Sequence, residues 1–152
     1  MCLDRLKKFK VRPTHTDGSV MGWKLFWLCS EGKLYPEYHV KVFPEGYKPG
    51  IWHVAKRRKI KMLETDVEES YPNGFHICMN GKIINKRHAY YRNRIFRWRY
   101  SSCRWVPVYF MPDDVLATGI DNILKHGTVK NIKCVVSKRM YIDPDDYAKA
   151  VK

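Results

Sequence analysis

The chain has 152 residues, 45% of them hydrophobic and 14% aromatic, and carries a formal charge of +14. That length fits one domain able to bury about two thirds of its unfolded surface, and the apolar content excludes a globally disordered chain. The charge, with an isoelectric point near 9.7, points to nucleic acid, a ribonucleoprotein or an anionic membrane surface as partner, against the plainer alternative of a solubility device.

No apolar run is long enough to span a bilayer, so no membrane partner is expected. The five cysteines, Cys2, Cys29, Cys78, Cys103 and Cys134, are odd in number and contain no C-x-x-C pair. The start Met-Cys-Leu-Asp-Arg-Leu has no apolar secretory segment. A reducing cytosol is the compartment this pattern suggests.

Residues 1–19 read as a basic N-terminal arm, with Leu3, Leu6 and Phe9 set among Lys7, Lys8 and Lys10. Residues 20–152 read as one α+β domain: a mainly antiparallel, twisted sheet with one principal helix packed on it. Trp23 to Cys29 is nearly continuous in apolar residues, as a strand buried on both faces requires. Ser30-Glu31-Gly32-Lys33 turns the chain, and Leu34 to Val42 returns as a second strand. Pro44 to Gly50 is dense in turn formers and leads into a short strand, Ile51 to Val54.

Lys56-Arg57-Arg58-Lys59-Ile60-Lys61 places five positive charges in six residues. Such a run is either a solvated edge or a nucleic-acid contact. The acidic residues Glu64, Asp66, Glu68 and Glu69 follow. Tyr71-Pro72-Asn73-Gly74 marks a turn, and Phe75 to Met79 reads as a strand with His76 and Cys78 on one face. Asn80-Gly81 predicts a hairpin into Lys82-Ile83-Ile84.

From Ser70 to Pro112 there is no acidic residue, while Lys86, Arg87, Arg92, Arg94, Arg97, Arg99 and Arg104 are all cationic. Arg92 to Tyr100 alternates arginine with aromatic residues, so Phe96, Trp98 and Tyr100 face one way and Arg97 and Arg99 the other. Guanidinium groups on one face of a strand stand roughly 6–7 Å apart, close to the repeat of a nucleic-acid backbone. The segment therefore predicts a polyanion-binding face, with Tyr90, Tyr91, Trp98, Tyr100 and Trp105 as candidates for base stacking.

Trp105 to Phe110 reads as a further strand, with Pro107 arguing for an edge or a bulge. Met111-Pro112-Asp113-Asp114 carries the signals of a helix start, and Val115, Leu116, Ile120, Ile123 and Leu124 form a stripe at helical spacing. The principal helix is therefore expected over about 112–126, stopped by Gly127. Val129 to Ile142 reads as a strand or strand pair, and Asp143-Pro144-Asp145-Asp146 opens a short C-terminal helix.

Three chemistries are weak. His76 and Cys78 could be joined by Cys29, His53 or Cys103, but structural zinc normally brings two close ligand pairs, so no metal is expected. Only His126-Gly127-Thr128 has the spacing of a two-histidine phosphoesterase, which needs two such strands. Neither a phosphate-cradling glycine loop nor a dinucleotide fingerprint occurs, and no cofactor is expected.

Gly22-Trp23-Lys24-Leu25-Phe26, Glu31-Gly32-Lys33-Leu34, the Pro-Gly loop before Ile51-Trp52, Pro72 to Cys78 and Ser137-Lys138-Arg139-Met140 occur in a recognisable order. Over about residues 22–142 the chain resembles a family of small phage-encoded proteins without assigned function. The resemblance implies a viral protein acting in the host cytoplasm against a host defence protein, as an anti-CRISPR-like inhibitor. More faintly, Gly74 to Cys78 followed by Ala89-Tyr90-Tyr91 is similar to ADP-ribosyltransferase-like folds. That similarity implies an enzyme centred on His76 and Tyr90, although such enzymes place a catalytic Glu late and no Glu follows Glu69.

The leading expectation is a non-enzymatic nucleic-acid or nucleoprotein binder that contacts its partner through Lys56, Arg57, Arg58, Lys59, Lys61, Lys86, Arg87, Arg92, Arg94, Arg97, Arg99 and Arg104. The alternatives are a transferase-like or nuclease-like enzyme and a purely protein-binding inhibitor.

Overall fold

The computed structural model describes residues 3–36, 45–55, 62–65, 69–80, 100–125 and 128–152. In chain order its strands are β1 (Arg5–Leu6), β2 (Val20–Cys29), β3 (Leu34–Pro36), β4 (Trp52–Val54), β5 (Met62–Glu64), β6 (Ser70–Pro72), β7 (Phe75–Cys78), β8 (Tyr100–Phe110), β9 (Val115–Lys125), β10 (Thr128–Ser137) and β11 (Arg139–Tyr141), followed by one helix, α1 (Pro144–Ala150). The main sheet runs β1-β9-β10-β7-β2-β8-β11-β4, with β3 paired to β2; β5 and β6 form a separate hairpin. All recorded pairings are antiparallel. The expected α+β class holds.

The sheet is apolar on both faces, which explains the unbroken hydrophobic run in β2. On the first face Val20, Phe26, Val106, Val108, Phe110, Ile77 and Val135 are buried together, closed off by Phe9 and Val11 of the N-terminal arm and by Tyr147 and Val151 at α1. On the second face Leu25, Trp105, Cys78, Cys134, Ile132 and Val136 form another cluster, covered by Leu3 and by Tyr71 of β6. Each large side chain removed from water in this way contributes about 1.5–3 kcal/mol. Phe26 and Leu25 are adjacent in sequence yet belong to different cores, as the two-residue period of a strand dictates.

The principal helix expected over 112–126 does not form. Pro112–Asp114 make a single 3-10 turn, and Val115–Lys125 is β9, laddered against β10 from Val115↔Ser137 to Lys125↔Thr128. Proline and the acids give the local signals of a helix start, but the Asp114 carboxylate accepts from Arg139 Nε at 2.7 Å. The apolar residues of the stripe fall on both parities of the strand, and a bulge at Val136/Ser137 lets Leu116 and Ala117 both pack on the second face. Gly119 decides the matter. A Cβ there would stand 2.5 Å from the Arg5 carbonyl oxygen and 2.8 Å from Leu3 Cδ1, so the bare backbone is what lets β1 lie against β9.

Pro107 sits inside β8, with no register shift at its position. It faces Trp23 of β2, while β11 pairs with β8 only at Tyr109. Among the described residues the proline thus has a ladder on one side only, the edge-like position expected of it, where a missing N–H removes no second bond. The C-terminal helix is as expected: Asp143 caps it by accepting from the Asp145 and Asp146 N–H groups, with proline at its first turn. No helix among the described residues is long and apolar enough to cross a membrane.

Candidate nucleic-acid interface

Most of the expected cationic contacts, Lys56, Arg57, Arg58, Lys59, Lys61, Lys86, Arg87, Arg92, Arg94, Arg97 and Arg99, lie outside the described residues, as does Tyr90. Arg104 is described. It stands on β8 opposite Phe26, half-buried, and its Nη1 donates to the Cys103 carbonyl at 3.3 Å. Trp105, a stacking candidate, is buried in the second core and presents no open ring.

The N-terminal arm carries the alternation that the arginine segment was expected to show. Lys8, Lys10 and Arg12 are exposed, and the intervening Phe9 and Val11 are half-buried against the first core. Cations two residues apart in an extended segment stand roughly 6–7 Å from one another. Arg5 and Lys7 are exposed as well, and Lys133 Nζ lies 5.6 Å from the centre of the Phe9 ring. Hydrogen bonds to β9 hold the arm in place: Asp4 N–H donates to Ile120 O, Lys7 N–H to Thr118 O, and the Thr118 hydroxyl to Lys7 O. Glu69 of the acidic cluster accepts from the Leu6 N–H at 3.0 Å.

Where the arm ends, a row of rings begins. His15 meets Tyr109 with centroids 5.3 Å apart, Tyr109 meets Tyr141 at 6.3 Å, and Tyr141 meets Trp52 at 5.6 Å. The strand order β8-β11-β4 sets this row, since Tyr109 is opposite Tyr141 and Tyr141 opposite Trp52. Trp52 is 40% exposed, and its neighbours Ile51 and Val54 about half. The Arg139 guanidinium lies 5.4 Å over the Trp52 ring, its Nε fixed by the buried Asp114 carboxylate. Burial, and then the bond from its hydroxyl to Asp146 Oδ2 at 3.1 Å, push Tyr109 up to about 12. Its ring is therefore neutral at every physiological pH. Sequence reasoning missed this row, although Arg139-Met140-Tyr141 shows it in outline: Met140 is buried, which sends its two neighbours to the other face.

His76 and Cys78 share a face as expected, but it is an interior one. His76 Nε2 lies 3.1 Å from the Tyr71 hydroxyl, which accepts the Leu3 N–H at 2.7 Å. Burial, aided by the charge of Lys24, drives the imidazole down to about 3, so it is neutral and Nε2 can accept from Tyr71. Among the described residues Cys29, His53 and Cys103 do not join it in a ligand group, and His53 Nε2 donates to the Lys48 carbonyl at 2.8 Å. Beside Cys78 stand Cys134, with sulfurs 3.2 Å apart, and Asp121.

The fold and surface describe a basic α+β sheet protein with a cationic arm leading to an aromatic row. No protein-family model, curated protein or solved structure matches the chain.

Proposed function

We propose that this protein binds single-stranded nucleic acid, alone or in a nucleoprotein complex, without acting as an enzyme. The alternation along the arm carries the reading: Lys8, Lys10 and Arg12 stand in solvent because Phe9 and Val11 are anchored in the core. A row of cations followed by a row of rings suits a strand whose phosphates are neutralised and whose bases are unstacked. Together with the motif order that resembles phage-encoded proteins, this favours a nucleoprotein effector of host defence, met in the host cytoplasm, as the target. A catalytic role for His76 has less support, since the neutral imidazole is buried against Tyr71.

Polarisation titrations with short labelled single-stranded RNA, single-stranded DNA and duplex DNA, each at two salt concentrations, test the proposal. Binding to single strands should weaken steeply with salt, and the Lys8→Ala/Lys10→Ala/Arg12→Ala variant should lower the logarithmic salt slope by about 2. Absence of binding at low salt, or an unchanged slope in the variant, would refute it.

A protein-binding reading is favoured by one observation: Ile51, Trp52 and Val54 are exposed on β4, the terminal strand of the described sheet. Trp52→Ala distinguishes the two, because loss of partner capture with unchanged oligonucleotide binding would select the second.

A further inference from the structure

Cys78 on β7 and Cys134 on β10 are directly opposite in an antiparallel ladder, so both thiols leave the same face of the sheet. The next strand supplies the third group. Cys134 faces Gly119 across β9 and β10, and Asp121, two residues further along β9, faces Ile132 on that same side. With no side chain at Gly119 between them, the Asp121 carboxylate reaches the thiol pair, and the three donor atoms lie within 4.8 Å of one another. All three residues are buried, among Leu3, Ile132 and Val136.

Composition selects the ligand. Two thiols and a carboxylate are groups that ligate a metal once deprotonated, and here their donor atoms converge. Together they form a donor set with the softness of a zinc site and the wrong chemistry for magnesium or calcium, which prefer oxygen throughout. We propose that Cys78, Cys134 and Asp121 bind one divalent cation of the zinc type, fastening β7, β10 and β9 to each other. Thiolates bound tetrahedrally at about 2.3 Å stand about 3.8 Å apart, so the sulfurs must separate by roughly half an ångström from their present 3.2 Å. Small rotations of the two side chains supply that distance. Three protein donors leave one position of the tetrahedron for a water.

The site is independent of the nucleic-acid reading. The full chain, reduced and stripped with a chelator, is titrated with cobalt(II) as an optical probe and then with zinc. One equivalent should bind, with a thiolate-to-cobalt charge-transfer band that zinc abolishes, and zinc should raise the melting temperature by several degrees. Asp121→Asn and Cys134→Ser should each lower affinity at least tenfold, whereas Cys29→Ser should not. Failure of the unaltered chain to bind one equivalent would overturn the proposal whatever the variants do. So would binding that survives Cys134→Ser, or a thiol count showing that Cys78 and Cys134 join in a disulfide under the same reducing conditions.

Discussion

Cys78 and Tyr141 belong to the same face of the same sheet. The register passes from Cys78 to Trp23, across to Pro107, along to Tyr109 and over to Tyr141. At the Cys78 end the face is roofed by Leu3 and by Tyr71 of the β5–β6 hairpin, and a histidine, two thiols and a carboxylate lie buried there. At the Tyr141 end the β4–β11 pair leaves Trp52 and Val54 in solvent. Identical strand physics thus produces a buried group of polar side chains and an open row of rings, and the difference lies in which chain segments return to cover the sheet.

The largest effect that sharpens this contrast is pH. His76 has a folded value near 3 against an ordinary 6.5, so the unfolded chain binds a proton that the folded chain refuses. Its contribution is complete above 6.5 and is lost as pH falls toward 3, at a slope approaching 1.4 kcal/mol, roughly, per pH unit. Denaturant unfolding of the chelator-treated protein between pH 7 and 4 should show this slope, and His76→Gln should flatten it; an unchanged slope would mean the pocket is wet.

Next in size is Gly119→Ala. The added methyl meets backbone at Arg5, which cannot rotate away, so a loss of about 3 kcal/mol is expected, with amide exchange rising first at Asp4 and Lys7. If exchange there were unaltered, the bare backbone at Gly119 would not be what seats β1 against β9. Tyr71→Phe should then cost about 1–2 kcal/mol, since the Leu3 N–H loses its acceptor and His76 its hydroxyl partner. The smallest change in stability belongs to the open end: Trp52→Ala should shift unfolding by less than about 0.5 kcal/mol yet weaken single-strand binding by about 1–3 kcal/mol. A large stability loss there would erase the distinction between the two ends.

Much of the sheet is legible without coordinates. The β2–β3 turn, the strand at Phe75, the successive strands β10 and β11 and the capped helix after Asp143 each follow from alternation, turn formers or a cap residue. β9 is not legible, because Val115, Leu116, Ile120 and Ile123 recur at helical spacing rather than at a strand's period of two, and the deciding contact is Arg5, more than a hundred residues earlier. The buried trio was missed for a related reason. Cys78 and Cys134 are 56 positions apart, and neither spacing nor residue type pairs them.

The sequence by itself determined that the chain is basic and that it folds as a mainly antiparallel sheet with apolar residues for two faces. Only the tertiary structure decided which stretches of that sheet are roofed, because cover depends on the long-range pairing of β1 with β9 and on the β5–β6 hairpin folding back against β9, and no local propensity encodes where a returning segment will lie.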